Sequence, residues 1–239
     1  MLFGAAAQFG IFFTFAMAAL LGFDIRDAAS IAVIGAADGP TSIFVANFLN
    51  SQYLGPIIVA AYSYMALVPI VQPPVIRALT TKHERRIRMG YTGTNVSKRT
   101  KILFPIFVTI LTGIVSPRAV ALIGFLMFGN LLRECGVLDA LSETAQKVLA
   151  NLITLLLGIT VASKMTADAF LNWQTLMILG LGLVAFIFDT VGGVLFAKLL
   201  NLFCKNKINP MIGAAGISAF PMSARVVHKM GLAEDNQNF

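Results

Sequence analysis

Charge is what this chain has least of. Asp, Glu, Lys and Arg make up 12% of its 239 residues, against 57% hydrophobic residues and a mean hydropathy of +0.81. So little charge leaves no stretch that reads as a soluble domain, and the composition points to a lipid bilayer. Cysteine is almost missing. Cys135 and Cys204 are the only two, too few for a disulfide framework and without the spacing of a metal site. His83 and His228 are far apart in sequence and make no ligand pair. No Gly-rich phosphate loop ending in Gly-Lys-Ser/Thr occurs, which argues against direct use of ATP. The first apolar run has neither a basic region before it nor a small-residue cleavage site, so no signal peptide is read. A net charge of +7 does not mean nucleic acid, because eight of the eighteen basic residues crowd between Arg77 and Lys101. A short basic loop between spans marks the cytoplasmic face of a membrane protein.

Apolar runs of membrane length are what the chain does have. Residues 2–23 and 53–76 carry no charge, and 176–200 are interrupted only by Asp189 and Lys198. Shorter or broken runs lie between them: 28–49 broken at Asp38, 102–115 ending before Pro117, and 119–132 ending at Arg133. A full span takes about 20 residues, and short spans among full ones suit a transporter better than an anchor. The reading is an all-α polytopic membrane protein with no β structure. It divides into a first-repeat remainder at 1–79, a basic loop at 80–101 and a second repeat at 102–239. One span is expected over 2–23, a second over 53–71 that ends at Pro73-Pro74 with a kinked continuation to Leu79, a hairpin turn at Ser116-Pro117-Arg118, and a charged tail from His228.

Two stretches share an opening. Residues 34–44 read Ile-Gly-Ala-Ala-Asp-Gly-Pro-Thr-Ser-Ile-Phe, and residues 212–221 read Ile-Gly-Ala-Ala-Gly-Ile-Ser-Ala-Phe-Pro. Both place Gly, Ser and Pro where a helix would continue, and Gly costs a helix about 1 kcal/mol and Pro about 3 relative to Ala. Backbone freed at membrane depth is tolerated where it faces protein or a water-filled cavity, and there it can hold an ion. Two such breaks in corresponding places suggest inverted repeats with two re-entrant hairpins whose turns approach each other within the membrane.

Asp38 is the leading candidate. A membrane carboxylate is costly and marks an ion pathway. Thr41 and Ser42 add hydroxyls, and the broken backbone adds carbonyls, the all-oxygen surroundings that hard cations prefer. Asp38 also stands where it would cap the helix that Gly39-Pro40 opens. Asn209, Gly213 and Ser218 form a neutral counterpart, which suits Na⁺ better than a divalent ion. Arg225 follows, either as a snorkelling end residue or as a partner for Asp38 or an anionic substrate. Tyr62 and Tyr64 sit mid-span and need hydrogen-bond partners if buried. Asp189 is a second intramembrane acid, with Lys198 or a polar neighbour as its expected partner. Asn130 is a weaker candidate near a helix end.

The motifs at 29–44, 128–137 and 209–227 resemble the β subunit of the sodium-pumping biotin-dependent decarboxylases, which act on oxaloacetate, methylmalonyl-CoA or glutaconyl-CoA. The resemblance covers essentially the whole chain. Family members are longer at the N-terminus, so the chain reads as the C-terminal half to two-thirds of a subunit. The resemblance implies that Asp38 couples Na⁺ and protons and that Tyr64 and Arg225 serve the reaction. It further implies that Asn209, Gly213 and Ser218 join Asp38, Thr41 and Ser42 around Na⁺. Carboxybiotin would be presented by another subunit, a biotin-carrying carboxyltransferase α subunit, with a small γ subunit alongside. Its decarboxylation would consume a proton while Na⁺ is exported across a bacterial or archaeal inner membrane. A homo-oligomer in contact with lipid is expected. The rival reading is a secondary Na⁺/organic-anion transporter without decarboxylation.

Overall fold

The computed structural model describes residues 2–89, 96–164, 171–204, 207–217 and 219–237. The protein is an all-α membrane protein, and no strand occurs among the described residues. Three segments are long and apolar enough to cross a membrane: Leu2–Leu20, Leu54–Leu79 and Trp173–Phe203. The chain forms two compact units, Met1–Gly90 with Ser163–Phe239, and Tyr91–Ala162.

The first unit holds both broken motifs. Helices α1 (Leu2–Ala6) and α2 (Phe9–Leu20) are followed by α3 (Ile25–Ala32), which runs into a 3-10 turn at Val33–Ala36. Asp24 caps α3 by accepting the Arg26 amide at 3.1 Å. After the break come α4 (Gly39–Phe48), the long α5 (Leu54–Leu79) and the short α6 (Lys82–Arg85).

The second unit contains α7 (Lys98–Val115), a 3-10 turn at Pro117–Ala119, α8 (Val120–Cys135), α9 (Asp139–Thr144), a π segment at Ala145–Leu149 and α10 (Ala150–Lys164). Helices α7 and α8 form the expected hairpin, and Lys101 pairs with Glu134 at 3.3 Å where its ends meet. Leu103, Phe107, Ile110 and Ile114 leave one apolar stripe of α7 exposed, at the spacing of one helix face. Asn130 lies half-buried on α8.

The first unit resumes with α11 (Trp173–Phe203), α12 (Met211–Ala214) and α13 (Phe220–Glu234). Helix α11 is the spine of this unit: α1, α2, α5, α12 and the 3-10 turn all pack on it. One buried cluster joins Ile31, Ile34, Ile57, Tyr64, Ile178 and Leu181. A second joins Ala37, Val68, Phe186, Met211, Ala214 and Ile217.

Two expectations are corrected, those for the first span and for the tail. The first span is not one helix, because a turn at Ala7-Gln8 divides it. No breaker occupies the turn, so the break comes from tertiary packing: it opens the first turn of α2 beside Asp189 of α11. Helix α5 runs through Pro69, Pro73 and Pro74 to Leu79, so the expected continuation past the prolines belongs to the same helix. The charged tail expected from His228 is not separate from the second broken helix, since α13 continues to Glu234.

The end of α13 is bound to the basic loop. Arg85 bonds Glu234 at 2.7 Å and the Thr80 carbonyl at 2.6 Å, and Arg88 grips Asp235 at 2.6 and 3.0 Å. Lys198 of α11 reaches Glu84 at 3.1 Å. The loop is therefore an ion-paired clamp across four elements as well as a cluster of positive charge.

Candidate functional site

The first break is built around Asp38. Ala37 turns the chain with a positive φ of 51°, and Asp38 then adopts an extended conformation as the N-cap of α4. Its carboxylate accepts the Thr41 amide at 3.3 Å and the Thr41 hydroxyl at 2.7 Å. The Ser42 hydroxyl, fully buried, donates to the Asp38 carbonyl at 2.8 Å. Pro40 has no N–H, so no helix bond continues to the carbonyl of Ala36. The Thr41 amide is turned to the carboxylate, which releases the carbonyl of Ala37 in the same way. Both hydroxyls spend their protons on Asp38 and keep oxygen lone pairs for a cation. The turn thus gathers a carboxylate, two hydroxyls and freed carbonyls, a donor set of oxygen alone.

Tyr62 lies against this turn. A Cβ on Gly39 would come within 2.2 Å of its ring, and its hydroxyl is buried without a hydrogen-bond partner among the described residues. Tyr64 is placed differently. Its ring packs on Gly182, and its hydroxyl donates to the Leu179 carbonyl of α11.

The second break is held from outside. Helix α12 lasts one turn, and Pro221 opens α13. Gln72, fully buried on α5, donates to the Ala214 carbonyl at 2.9 Å and to the Ser223 hydroxyl at 3.1 Å, so it ties both sides of the break. Gln72 escaped the sequence reading. Its signal was a lone amide in an uncharged span, directly before Pro73-Pro74.

Asn209 stands at the opposite end of this hairpin from the break. Its amide donates at 3.0 Å to the carbonyls of Arg85 and of Ile87, and its own oxygen accepts the Met211 amide at 3.1 Å. It anchors the basic loop to α12. Gly213 is pressed against Gly193 of α11, where a Cβ would meet the Gly193 carbonyl oxygen at 2.0 Å. Ser218 lies outside the described residues. Arg225 is exposed on α13 and forms no ion pair with Asp38 or with any other described residue. Both breaks border one buried cluster, which holds Ala37 of the first and Ala214, Ile217 and Ala219 of the second.

Asp189 has neither expected partner. Lys198 is two turns away along α11 and engaged with Glu84, and both Asp189 oxygens are buried with no hydrogen-bond partner among the described residues.

A family described as the Na⁺-transporting oxaloacetate decarboxylase beta subunit matches residues 1–239. The methylmalonyl-CoA decarboxylase subunit beta of Propionigenium modestum is 55% identical over 240 residues, which cover all of this chain and 60% of that protein. The oxaloacetate decarboxylase beta chain of Klebsiella pneumoniae is 53% identical over 245 residues, all of this chain and 56% of that one. The glutaconyl-CoA decarboxylase subunit beta of Acidaminococcus fermentans is 49% identical over 239 residues, all of this chain and 64% of that one. The chain therefore spans little more than half the length of the curated relatives it matches. With whole-chain coverage in each comparison, the chain belongs to the family of Na⁺-transporting oxaloacetate decarboxylase beta subunits.

Proposed function

We propose that this chain supplies the ion-binding part of the membrane subunit of a decarboxylase sodium pump. The observation that carries the reading is the Asp38 turn, where a carboxylate, the Thr41 and Ser42 hydroxyls and released carbonyls meet in a membrane protein of this family. Asp38, Thr41 and Ser42 are the first group of Na⁺ ligands, and Asn209, Gly213 and Ser218 belong to the second half of the same pathway. Asp38 binds either Na⁺ or a proton, so loss of one follows arrival of the other. Thr41 and Ser42 hold its carboxylate and carbonyl in place. Gln72 fixes the second break against α5, and Tyr64 fixes α5 against α11. Arg225, being exposed, is available to an anionic group arriving from outside the chain.

Carboxybiotin, carried by a carboxyltransferase α subunit, supplies CO₂ release as the energy source. A small γ subunit, a homo-oligomeric assembly and a bacterial or archaeal inner membrane complete the reading. Each half of the chain contributes one broken helix, with the basic loop between them. The test is Na⁺-stimulated decarboxylation of free carboxybiotin by the full-length membrane subunit in vesicles. Decarboxylation that requires Na⁺ and moves it supports the pump. Na⁺-driven uptake of an organic anion with no decarboxylation supports a secondary transporter instead.

A further inference from the structure

We propose that Asp189 is a proton-binding site inside the helical core, separate from the oxygen-rich turn at Asp38. The inference goes beyond the Na⁺ site and stands whether or not the chain pumps. It begins with burial. Asp189 has no exposed surface, and neither carboxylate oxygen has a hydrogen-bond partner among the described residues. An isolated buried charge is costly enough that such groups bind a counter-charge or neutralise.

The surroundings say which ligand fits. Three elements close on the carboxylate: α11 itself, the first turn of α2 and the 3-10 turn of the first break. A Cβ on Gly10 would lie 2.7 Å from one oxygen, and a Cβ on Gly35 would lie 2.9 Å from the other. Packing this close leaves space for a proton and little for a hydrated or partly hydrated metal ion. The start of α2 packs directly on Asp189 at Gly10. N–H groups at a helix start favour a negative charge and repel a cation. One turn along α2 from Gly10, the Thr14 hydroxyl is also buried without a partner among the described residues.

Helices α1, α2 and α12 and the 3-10 turn carry no titratable side chain. Helix α5 brings Tyr62, which faces the Asp38 turn, Tyr64, bonded to Leu179, and Arg77 in its last turn. Helix α3 brings Arg26 and Asp27, the latter bonded to Ser51 and Gln52. On α11, Lys198 is held by Glu84. The step itself is minimal: one carboxylate oxygen of Asp189 takes up one proton to form a neutral acid, and returns it.

Infrared difference spectra of the full-length subunit in lipid vesicles, between alkaline and acid pH and in H₂O and D₂O, test this. The expected result is a protonated-carboxyl band that shifts in D₂O, persists in Asp38→Asn, is unmoved by saturating Na⁺ and is lost in Asp189→Asn. Asp189→Asn is isosteric with the neutral acid and is expected to fold. Wild-type protein gives a second measurement: carbodiimide, which attacks protonated buried carboxyls, should label Asp189 less as pH rises and regardless of Na⁺. A spectrum unchanged in Asp189→Asn, or Asp189 labelling suppressed by Na⁺, would overturn the proposal. Because Na⁺-dependent turnover is not read here, failure of the pump reading leaves these outcomes distinct.

Discussion

Gly193 and Gly213 meet backbone to backbone. A Cβ on Gly193 would stand 2.1 Å from the Gly213 carbonyl oxygen, and one on Gly213 would stand 2.0 Å from that of Gly193. One and two turns before Gly193 on the same helix, Asp189 and Ala185 lie against Gly35 of the first break. Helix α11 is therefore the common wall of both interruptions, and its Gly193 sets how closely the second can approach.

This contact predicts that Gly213→Ala is destabilising whatever its effect on Na⁺. Overpacking of a tight core costs about 1–3 kcal/mol, and here the obstacle is backbone, which cannot rotate away. Thermal unfolding of the purified subunit should show a clear drop for Gly213→Ala and a similar one for Gly193→Ala. A wild-type melting point in both would mean that the helices separate freely.

The two mid-span tyrosines should respond differently to loss of the hydroxyl. Tyr64→Phe removes a donor from the Leu179 carbonyl and should cost about 0.5–1.5 kcal/mol. Tyr62→Phe removes a buried hydroxyl that has no described partner, so stability should hold or rise slightly. Comparing the unfolding transitions of the two variants checks the contrast. Equal losses would point to a partner for Tyr62.

Gln72→Leu keeps bulk on α5 but strands the Ala214 carbonyl and the Ser223 hydroxyl. Leaving buried polar groups unsatisfied costs about 1–3 kcal/mol. The second break should loosen, read as faster amide exchange over residues 211–223 and a higher Na⁺ requirement in the assembled pump. Unchanged exchange would remove Gln72 from its role as a staple.

The clamp between the basic loop and α13 should weaken in acid. The Arg85 guanidinium holds Glu234 below the ordinary glutamate range by a charge-assisted hydrogen bond, and Arg88 does the same for Asp235. Carboxylates with a lowered folded pKa stabilise the fold above their unfolded values, and that contribution is lost as pH falls through the folded values. Melting temperature should therefore fall from mildly to strongly acid pH, and the fall should be smaller in a Glu234→Gln, Asp235→Asn double variant. Identical acid profiles would show that the clamp does not contribute.

Much of this was legible in the sequence, and the pattern of what was not is physical. The breaks near Asp38 and Gly213 carry their own chemistry, Gly and Pro, so they show in a local reading. The Asp38 cap follows from its place before Gly39-Pro40. The turn at Ala7-Gln8 has no breaker, and only its packing against α11 explains it. Lys198 lies on the same helix as Asp189, yet its partner is Glu84, 114 positions earlier. Asn209 stands in the second motif, and its amide nitrogen bonds carbonyls of a loop more than a hundred residues away, a pairing no local pattern shows. Periodicity and composition speak to neighbours along a helix, and these pairings are set by the fold.

The most direct test of the account is Na⁺ binding to purified full-length subunit, wild type against Asp38→Asn. Asn caps a helix about as well as Asp, so the variant keeps the α4 start and loses only the charge. The account predicts saturable Na⁺ binding that protons compete away in the wild type, and none in Asp38→Asn at an unchanged melting temperature. Wild-type Na⁺ affinity in Asp38→Asn would contradict it.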